Sequence, residues 1–321
     1  MMKIRPFQAT EPDYKAIIAI QKELEPERQI TVNYLREQDR QFATHSEFTR
    51  VIGEVGTQII AHGVYWHAKN SDKESPQFSL FVHPDHQNSN IPRQMQNYLI
   101  AKIETMQPNT IVSEPKENEV YRTQLLEEDK FELAMRFPRS QLNTQTFDPT
   151  MYTSLIAKLK NEGIQFITLT NVIEQDEHWQ RHIWQLFNII NQDVPYPDPQ
   201  EGTPFEEYAE YYKGESFRPD SWIIAVDSAK AGAQRYVGMS VVNHMQTRKN
   251  ALFAGITGVI PSYRRRKIAT VLKVFATRYA QKNGFAYIET DNEENNPMYQ
   301  LNLNLGFENL PAWVYYKKQM V

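Results

Sequence analysis

The chain has 321 residues, 40% of them hydrophobic and 23% charged, enough to bury a sizeable core and more than one average domain requires. Its 39 acidic against 35 basic side chains leave a formal charge of -4, which gives no general attraction for nucleic acid or an anionic membrane. There is no cysteine, which excludes disulfides, thiolate metal sites and a cysteine nucleophile, and no run approaches the roughly 18 apolar residues of a membrane-spanning helix. The amino-terminal stretch MMKIRPFQATEPDYK lacks a signal-type apolar segment, so a soluble, cytoplasmic chain of two domains is expected.

Taken in order, residues 3–6 read as a short strand. Tyr14, Ile17, Ile18, Ile20 and Leu24 recur at helical spacing, which predicts an amphipathic helix over 13–25. Two β-rich runs, 48–55 and 58–68, flank a turn at Gly56, and a third, 77–82, stops at Pro84. Helix 92–106, strand 110–113, helix 119–127 and strand 131–137 complete the first half. A short helix over 151–163, closed by Gly163, joins the halves. The second half then reads strand 165–169, helix 179–190, and strands 221–226, 236–245 and 251–260. After a basic stretch come a helix to 282, strand 285–290, helix 297–304 and strand 313–317.

The two halves have the same order of elements. Val82-x-Pro84-x-x-Gln87 also returns as Val259-x-Pro261-x-x-Arg264, 177 positions later. A duplicated domain follows, with the division expected near 150, into 1–150 and 151–321.

The most informative segment is TGVIPSYRRRKIAT, 257–270, where a strand ends at proline and a helix begins at once. Ile268, Val271, Leu272, Phe275 and Tyr279 share one face of that helix, so its first-turn amides near 265–269 point back to the strand end. Free amides and the positive end of the helix dipole make an anion site there. Read alone, the run Arg264-Arg265-Arg266-Lys267 is a solvated surface or a nucleic-acid contact. At a strand-to-helix junction it points first to a pyrophosphate.

These residues resemble the GNAT superfamily of N-acetyltransferases, whose pyrophosphate loop follows Val-x-Pro-x-x-Arg/Gln-x-x-Gly-x-Gly/Ala. Val259, Pro261, Arg264 and Ala269 agree. Lys267 stands where the family usually has glycine, so either the loop does not demand positive φ there or phosphate access is altered. A second signature, Asn292-x-x-Asn295-Asn296-Pro297-Met298-x-x-Leu301-Asn302-x-x-Leu305-Gly306-Phe307, also resembles the family. The resemblance covers 166–321, including the acidic DVPYPDP at 193–199, and is nearest to bacterial tandem-GNAT proteins. In the first half the loop QNSNIP lacks both glycines and carries Pro92 where a donating amide is wanted, so that half reads as a degenerate copy.

The resemblance implies an α/β (α+β) protein of two tandem GNAT folds, each a mixed, mostly antiparallel sheet flanked by helices. It implies an acetyl-CoA-dependent acyltransferase acting on a primary amine of a small molecule or peptide, with the carboxy-terminal domain catalytic; a non-catalytic CoA-binding or interaction module is the alternative. Thr257, Gly258 and Val259 would pair with the pantetheine arm. Arg264, Arg265, Arg266, Lys267, Ile268, Ala269 and Thr270 would hold the pyrophosphate, and Asn295 would contact the cosubstrate. Many family members carry a tyrosine general acid where this chain has Asn302, which has no titratable proton. Tyr299 is then the stand-in acid, with Tyr315 further off, and Glu289 the candidate base, followed by His244 and Asp291. Asp193, Pro195, Glu206 and Tyr212 fall on the acceptor side. His83 and His86 lack a third ligand at a supporting spacing, so a loop turn rather than a metal site is expected. Neither the acceptor nor the oligomeric state is encoded in these patterns.

Overall fold

The structure is a computed structural model that describes residues 2–68, 75–197, 202–214 and 217–320. Asp198 and Pro199 of the acidic motif lie outside the described residues. In chain order the elements are β1 (Lys3–Pro6), α1 (Glu11–Leu24), α2 (Val32–His45), β2 (Ser46–Val55), β3 (Gln58–Ala68), β4 (Gln77–Val82), α3 (Ile91–Glu104), β5 (Thr110–Ser113), α4 (Val120–Glu128) and β6 (Glu132–Asn143). There follow α5 (Thr153–Asn161), β7 (Ile164–Thr168), α6 (Leu169–Gln175), α7 (Trp179–Asn191), α8 (Phe205–Tyr211), β8 (Trp222–Asp227) and β9 (Tyr236–His244). The last are β10 (Ala251–Val259), α9 (Ile268–Lys282), β11 (Tyr287–Asp291), α10 (Pro297–Asn304) and β12 (Glu308–Gln319).

The chain forms two compact units, one of Met1–Phe137 with Pro311–Val321 and the other of Pro138–Leu310. This differs from the division near 150, and strand pairing gives the reason. In the first unit β1, β2, β3 and β4 pair antiparallel in sequence, β4 pairs parallel with β5, and β5 pairs antiparallel with β12. In the second, β7, β8, β9 and β10 pair antiparallel in sequence, β10 pairs parallel with β11, and β11 pairs antiparallel with residues 139–143 of β6. The two copies therefore have one topology and exchange their last strands. The strand after α4 completes the second unit, and the strand after α10 completes the first.

The exchange also explains why β6 and β12 outrun their expected lengths. Pro138 and Arg139 interrupt the apolar pattern of β6 at Phe137, yet pairing with β11 continues through Asn143. Helices α2, α6 and α8 had no sequence expectation. Caps supply two of them: the Thr31 hydroxyl accepts the Tyr34 amide at 3.1 Å, and Thr168 and Asn171 form a reciprocal capping box.

Each sheet is covered on both faces. In the first unit Met95, Leu99 and Ile103 of α3 pack on one face with Phe78 and Leu80, and Tyr14, Ile17 and Leu35 of α1 and α2 pack on the other with Ile52. In the second unit α9 covers one face with Ile268, Val271, Leu272 and Val274, while Ile183, Leu186 and Ile190 of α7 cover the other. Each such fully buried side chain contributes about 1.5–3 kcal/mol, which α9 collects at the spacing its sequence displays. As expected from their sequence positions, Gly163 (φ 85) and Gly306 (φ 89) follow helix ends in the left-handed conformation.

Candidate functional site

The site of the second unit begins where two strands part. β10 and β11 are in parallel register only over 251–253 and 287–289, and the β10–β9 register shifts between Ala254 and Thr257. The Thr290 hydroxyl donates to the Ala254 carbonyl at 2.9 Å across the fork. From there to Val259, β10 is held by β9 on one edge only, and its other edge is available to an extended ligand.

The chain then turns through a single 3₁₀ turn, Pro261–Tyr263, and enters α9. Arg265 (φ 62) and Lys267 (φ 66) are both left-handed. Lys267 thus retains the conformation that the family's glycine serves, and of the two explanations offered for its presence the first is removed. It is the N-cap of α9 and makes no side-chain cap, and the first helical bond runs from the Val271 amide to the Lys267 carbonyl at 3.2 Å. The amides of residues 268–270 precede that bond and have no intrahelical acceptor.

Side chains pin this loop from outside. Arg264 donates Nε to the Val259 carbonyl at 3.0 Å and pairs with Asp193; Arg266 pairs with Glu162 at 2.8 Å and lies over the Tyr263 ring; Tyr263 donates to Asp227 at 2.5 Å. Arg266 holds the Glu162 carboxyl below its ordinary pKa, and the Tyr263 hydroxyl does the same for Asp227. Arg265 and Lys267 make no ion pair with another described residue.

A cleft of about 960 Å³ opens over this junction. Thr257, Gly258, Val259, Arg264, Arg265, Lys267, Ile268, Ala269 and Thr270 all line it. Arg266 does not, being turned to Glu162, and neither does Asn295, whose side chain donates to Glu293 at 2.8 Å. Its neighbour Asn296 lines the cleft instead and caps α10 by accepting the Met298 amide at 2.9 Å. Met298, Leu301 and Leu305 form an apolar wall, a helical stripe visible in the sequence. Ile190 and Tyr152 also line the cleft, and no sequence pattern singled them out.

The expected catalytic side chains lie off the cleft lining. Asn302 is fully buried, donates Nδ2 to Asn292 Oδ1 at 2.7 Å, and has no partner for its own Oδ1. Tyr299 donates to Asn309 at 2.9 Å. Glu289 is buried between Arg248 and Arg139, the latter at 3.1 Å, an ion pair that occupies its carboxylate. Asp291, two residues along the same strand face, is half-buried at the end of β11, and burial pushes its carboxyl above the ordinary range despite Arg139 nearby. His244 lies edge-on to Phe285, its pKa lowered by burial first and by Arg218 second. Of the residues expected on the acceptor side, Asp193 is tied to Arg264, Glu206 is exposed on α8, and Tyr212 packs on Trp179 at 4.7 Å with its hydroxyl pushed up by burial. Among the described residues no three His, Asp or Glu side chains are placed to hold a metal ion.

The corresponding junction of the first unit has the same layout, β4, a 3₁₀ turn at Pro84–His86, and α3 starting at Ile91. Its cleft is smaller, about 490 Å³, and Pro92 takes the place of Ala269. Arg93 there is neutralised by Glu128 and Asp129, and Glu119 adds another carboxylate to the lining.

Residues 183–307 match the family model of the acetyltransferase (GNAT) family. No curated protein matches the sequence significantly. Among solved structures the chain is similar to a GCN5-related N-acetyltransferase from Sphaerobacter thermophilus, at 15% identity and TM-score 0.69 over 99% of this chain and 95% of that one. It is similar to a tandem GNAT protein from the clavulanic acid biosynthesis pathway, at 15% identity and TM-score 0.71 over 99% of this chain and 98% of that one. It is also similar to the glucosamine N-acetyltransferase region of a fungal multi-domain GH3 β-N-acetylglucosaminidase, at 11% identity and TM-score 0.71 over 99% of this chain and 38% of that one. The chain thus has the tandem GNAT fold, and its second unit carries a domain of the acetyltransferase (GNAT) family.

Proposed function

We propose that the second unit transfers the acyl group of acetyl-CoA to a primary amine of a small molecule or peptide. The observation that carries this reading is the left-handed pair Arg265 and Lys267, which leaves the first amides of α9 free at the floor of a cleft with an apolar wall of Met298, Leu301 and Leu305. Positive φ in residues other than glycine costs about 1–3 kcal/mol, and such strain concentrates at ligand sites. The donor set fits a pyrophosphate: the amides of 268–270, the helix dipole, and the cations Arg264, Arg265 and Lys267. The free edge of β10 at Thr257–Val259 fits an amide-bearing arm, and Met298, Leu301 and Leu305 exclude water from it. When bound, acetyl-CoA supplies an activated thioester. A backbone N–H of β10 beside the fork would stabilise the oxyanion, and the remainder of the rate would come from positioning.

Proton removal from the amine falls to Asp291 rather than Glu289. A carboxylate held by two arginines is a poor proton acceptor, and one raised by burial is a better one. The first unit serves as a structural partner, because Pro92 and the carboxylates of its cleft oppose an anion.

A second reading, a module that binds CoA without catalysis, draws on Asn302, a buried amide at the position of the family's tyrosine acid. Release of CoA thiol from acetyl-CoA in an amine screen separates the two. Calorimetric titration with acetyl-CoA tests the site itself. One equivalent per chain is expected, and Ala269→Asp should abolish binding by setting a carboxylate against the pyrophosphate. Unchanged affinity in that variant would refute the assignment.

A further inference from the structure

The cleft of the second unit has two chemically different ends. One is the basic loop with its free amides. Along β10 the lining runs away from that loop through Val259, Gly258 and Thr257, and Ile190 of α7 packs against the strand at Gly258.

Ile190 comes unusually close to the strand backbone. A Cβ built on Gly258 would lie 2.2 Å from Ile190 Cγ2, so only glycine at 258 admits the side chain at this depth. Ile190 is 5% exposed and belongs to the core of α7 with Ile183 and Leu186. The segment after α7 is tied down in turn by the Asp193–Arg264 ion pair. The isoleucine is therefore held from its helix and from the residues that follow, and it is β-branched, which restricts its rotamers. It forms a fixed apolar wall of the cleft over Gly258, beyond the loop along β10.

We propose that Ile190, seated on the Gly258 backbone, limits the length of the acyl group, so that the second unit takes acetyl and other short thioesters and rejects medium-chain ones. The inference rests on the cleft being an acyl-CoA site. An arm anchored at the loop amides and paired along the β10 edge directs its acyl end toward Thr257 and Ile190. Each added methylene must then either displace Ile190 or remain in water.

The test is calorimetric titration of the full chain with free CoA, acetyl-CoA and hexanoyl-CoA, for the wild type, Ile190→Ala and Ile190→Val. In the wild type, hexanoyl-CoA should bind at least about tenfold more weakly than acetyl-CoA, since its extra methylenes stay unburied or clash. In Ile190→Ala the ratio should fall to within about threefold, with Ile190→Val intermediate, because each lost methyl frees room for a ligand methylene. The valine variant removes one methylene and keeps the β-branch, so it serves if the alanine variant is too unstable to titrate. Equal affinity of the wild type for acetyl-CoA and hexanoyl-CoA, or a ratio unmoved in both variants, overturns the role of Ile190 while leaving the acyl-CoA site standing. Absence of free-CoA binding to the wild type overturns the site and the inference together.

Discussion

Lys267 and Asn90 each immediately precede the first residue of a helix, α9 and α3, at the same place in the two copies of the fold, yet Lys267 has φ 66 and Asn90 has φ -78. Asparagine tolerates the left-handed region far better than lysine, so intrinsic preference runs opposite to what is observed. The left-handed conformation coincides with the proposed anion site, where the first amides of α9 have no intrahelical acceptor. Lys267→Gly should relieve the strain and keep thermal stability within about 1 kcal/mol, because glycine's extra unfolded-state freedom offsets the gain. Acetyl-CoA affinity should change little beyond the loss of one cation. Lys267→Val, β-branched at positive φ, should destabilise by about 1–3 kcal/mol and weaken binding at least tenfold. Chemical unfolding and calorimetry on the two variants decide this.

Glu289 and Asp291 lie on one strand face and should respond oppositely. Glu289→Gln leaves Arg248 and Arg139 short of their buried partner and should cost about 3–5 kcal/mol in urea unfolding. Asp291→Asn should stabilise the fold at neutral pH. Its raised native pKa means that the folded state favours the protonated carboxyl, a contribution present below the ordinary value of 3.8 and lost as pH rises through the native one. The stability advantage of the variant should therefore grow as pH rises from 3.8 through the raised native pKa and then level off, while its amine acylation rate falls by about a hundredfold or more.

His62 is fully buried in the first unit, stacked on Phe81, with neither ring nitrogen partnered, and its pKa is lowered to about 3, mainly by desolvation. The folded state keeps it neutral while the unfolded chain takes up a proton below 6.5, so stability falls as pH drops from 6.5 toward about 3. The slope from this group reaches about 1.4 kcal/mol per pH unit. His62→Leu should remove that slope and raise stability in acid, as read from thermal midpoints between about pH 4 and about pH 7.

Lys273 is buried on α9 with its ammonium over the Phe307 ring, and desolvation lowers its pKa to about 8. Between about 8 and 10.5 the unfolded chain binds the proton more tightly than the folded one, so the destabilisation is full below about 8 and fades as pH rises to 10.5. Lys273→Met should stabilise by about 2–3 kcal/mol at pH 7, and by much less above the ordinary lysine pKa. Denaturant titrations at the two pH values check the sign.

Much of the fold could be read along the chain because it rests on local signals. The period of Ile268, Val271 and Leu272, the proline after each Val-x-Pro strand, and glycines 163 and 306 each act within a few residues. Thr257–Val259 and most of 264–270 could be grouped in advance for the same reason, since a strand ending directly in a helix brings consecutive residues to one cleft. Asn295 and Asn296 could not be told apart, because which of two adjacent amides turns to the cleft depends on Glu293 and on the cap of α10.

By itself the sequence determined the duplication, most of the succession of elements and the strand-to-helix loop on which the proposed anion site rests. Only the tertiary structure decided that β6 and β12 exchange units, that two arginines occupy Glu289, and that Ile190 rests on Gly258. The physical reason is range. Helical period, turn chemistry and free helix amides are properties of a few neighbouring residues. Strand exchange, ion pairing and close packing join residues tens to hundreds of positions apart, and their partners are fixed only once the chain has folded.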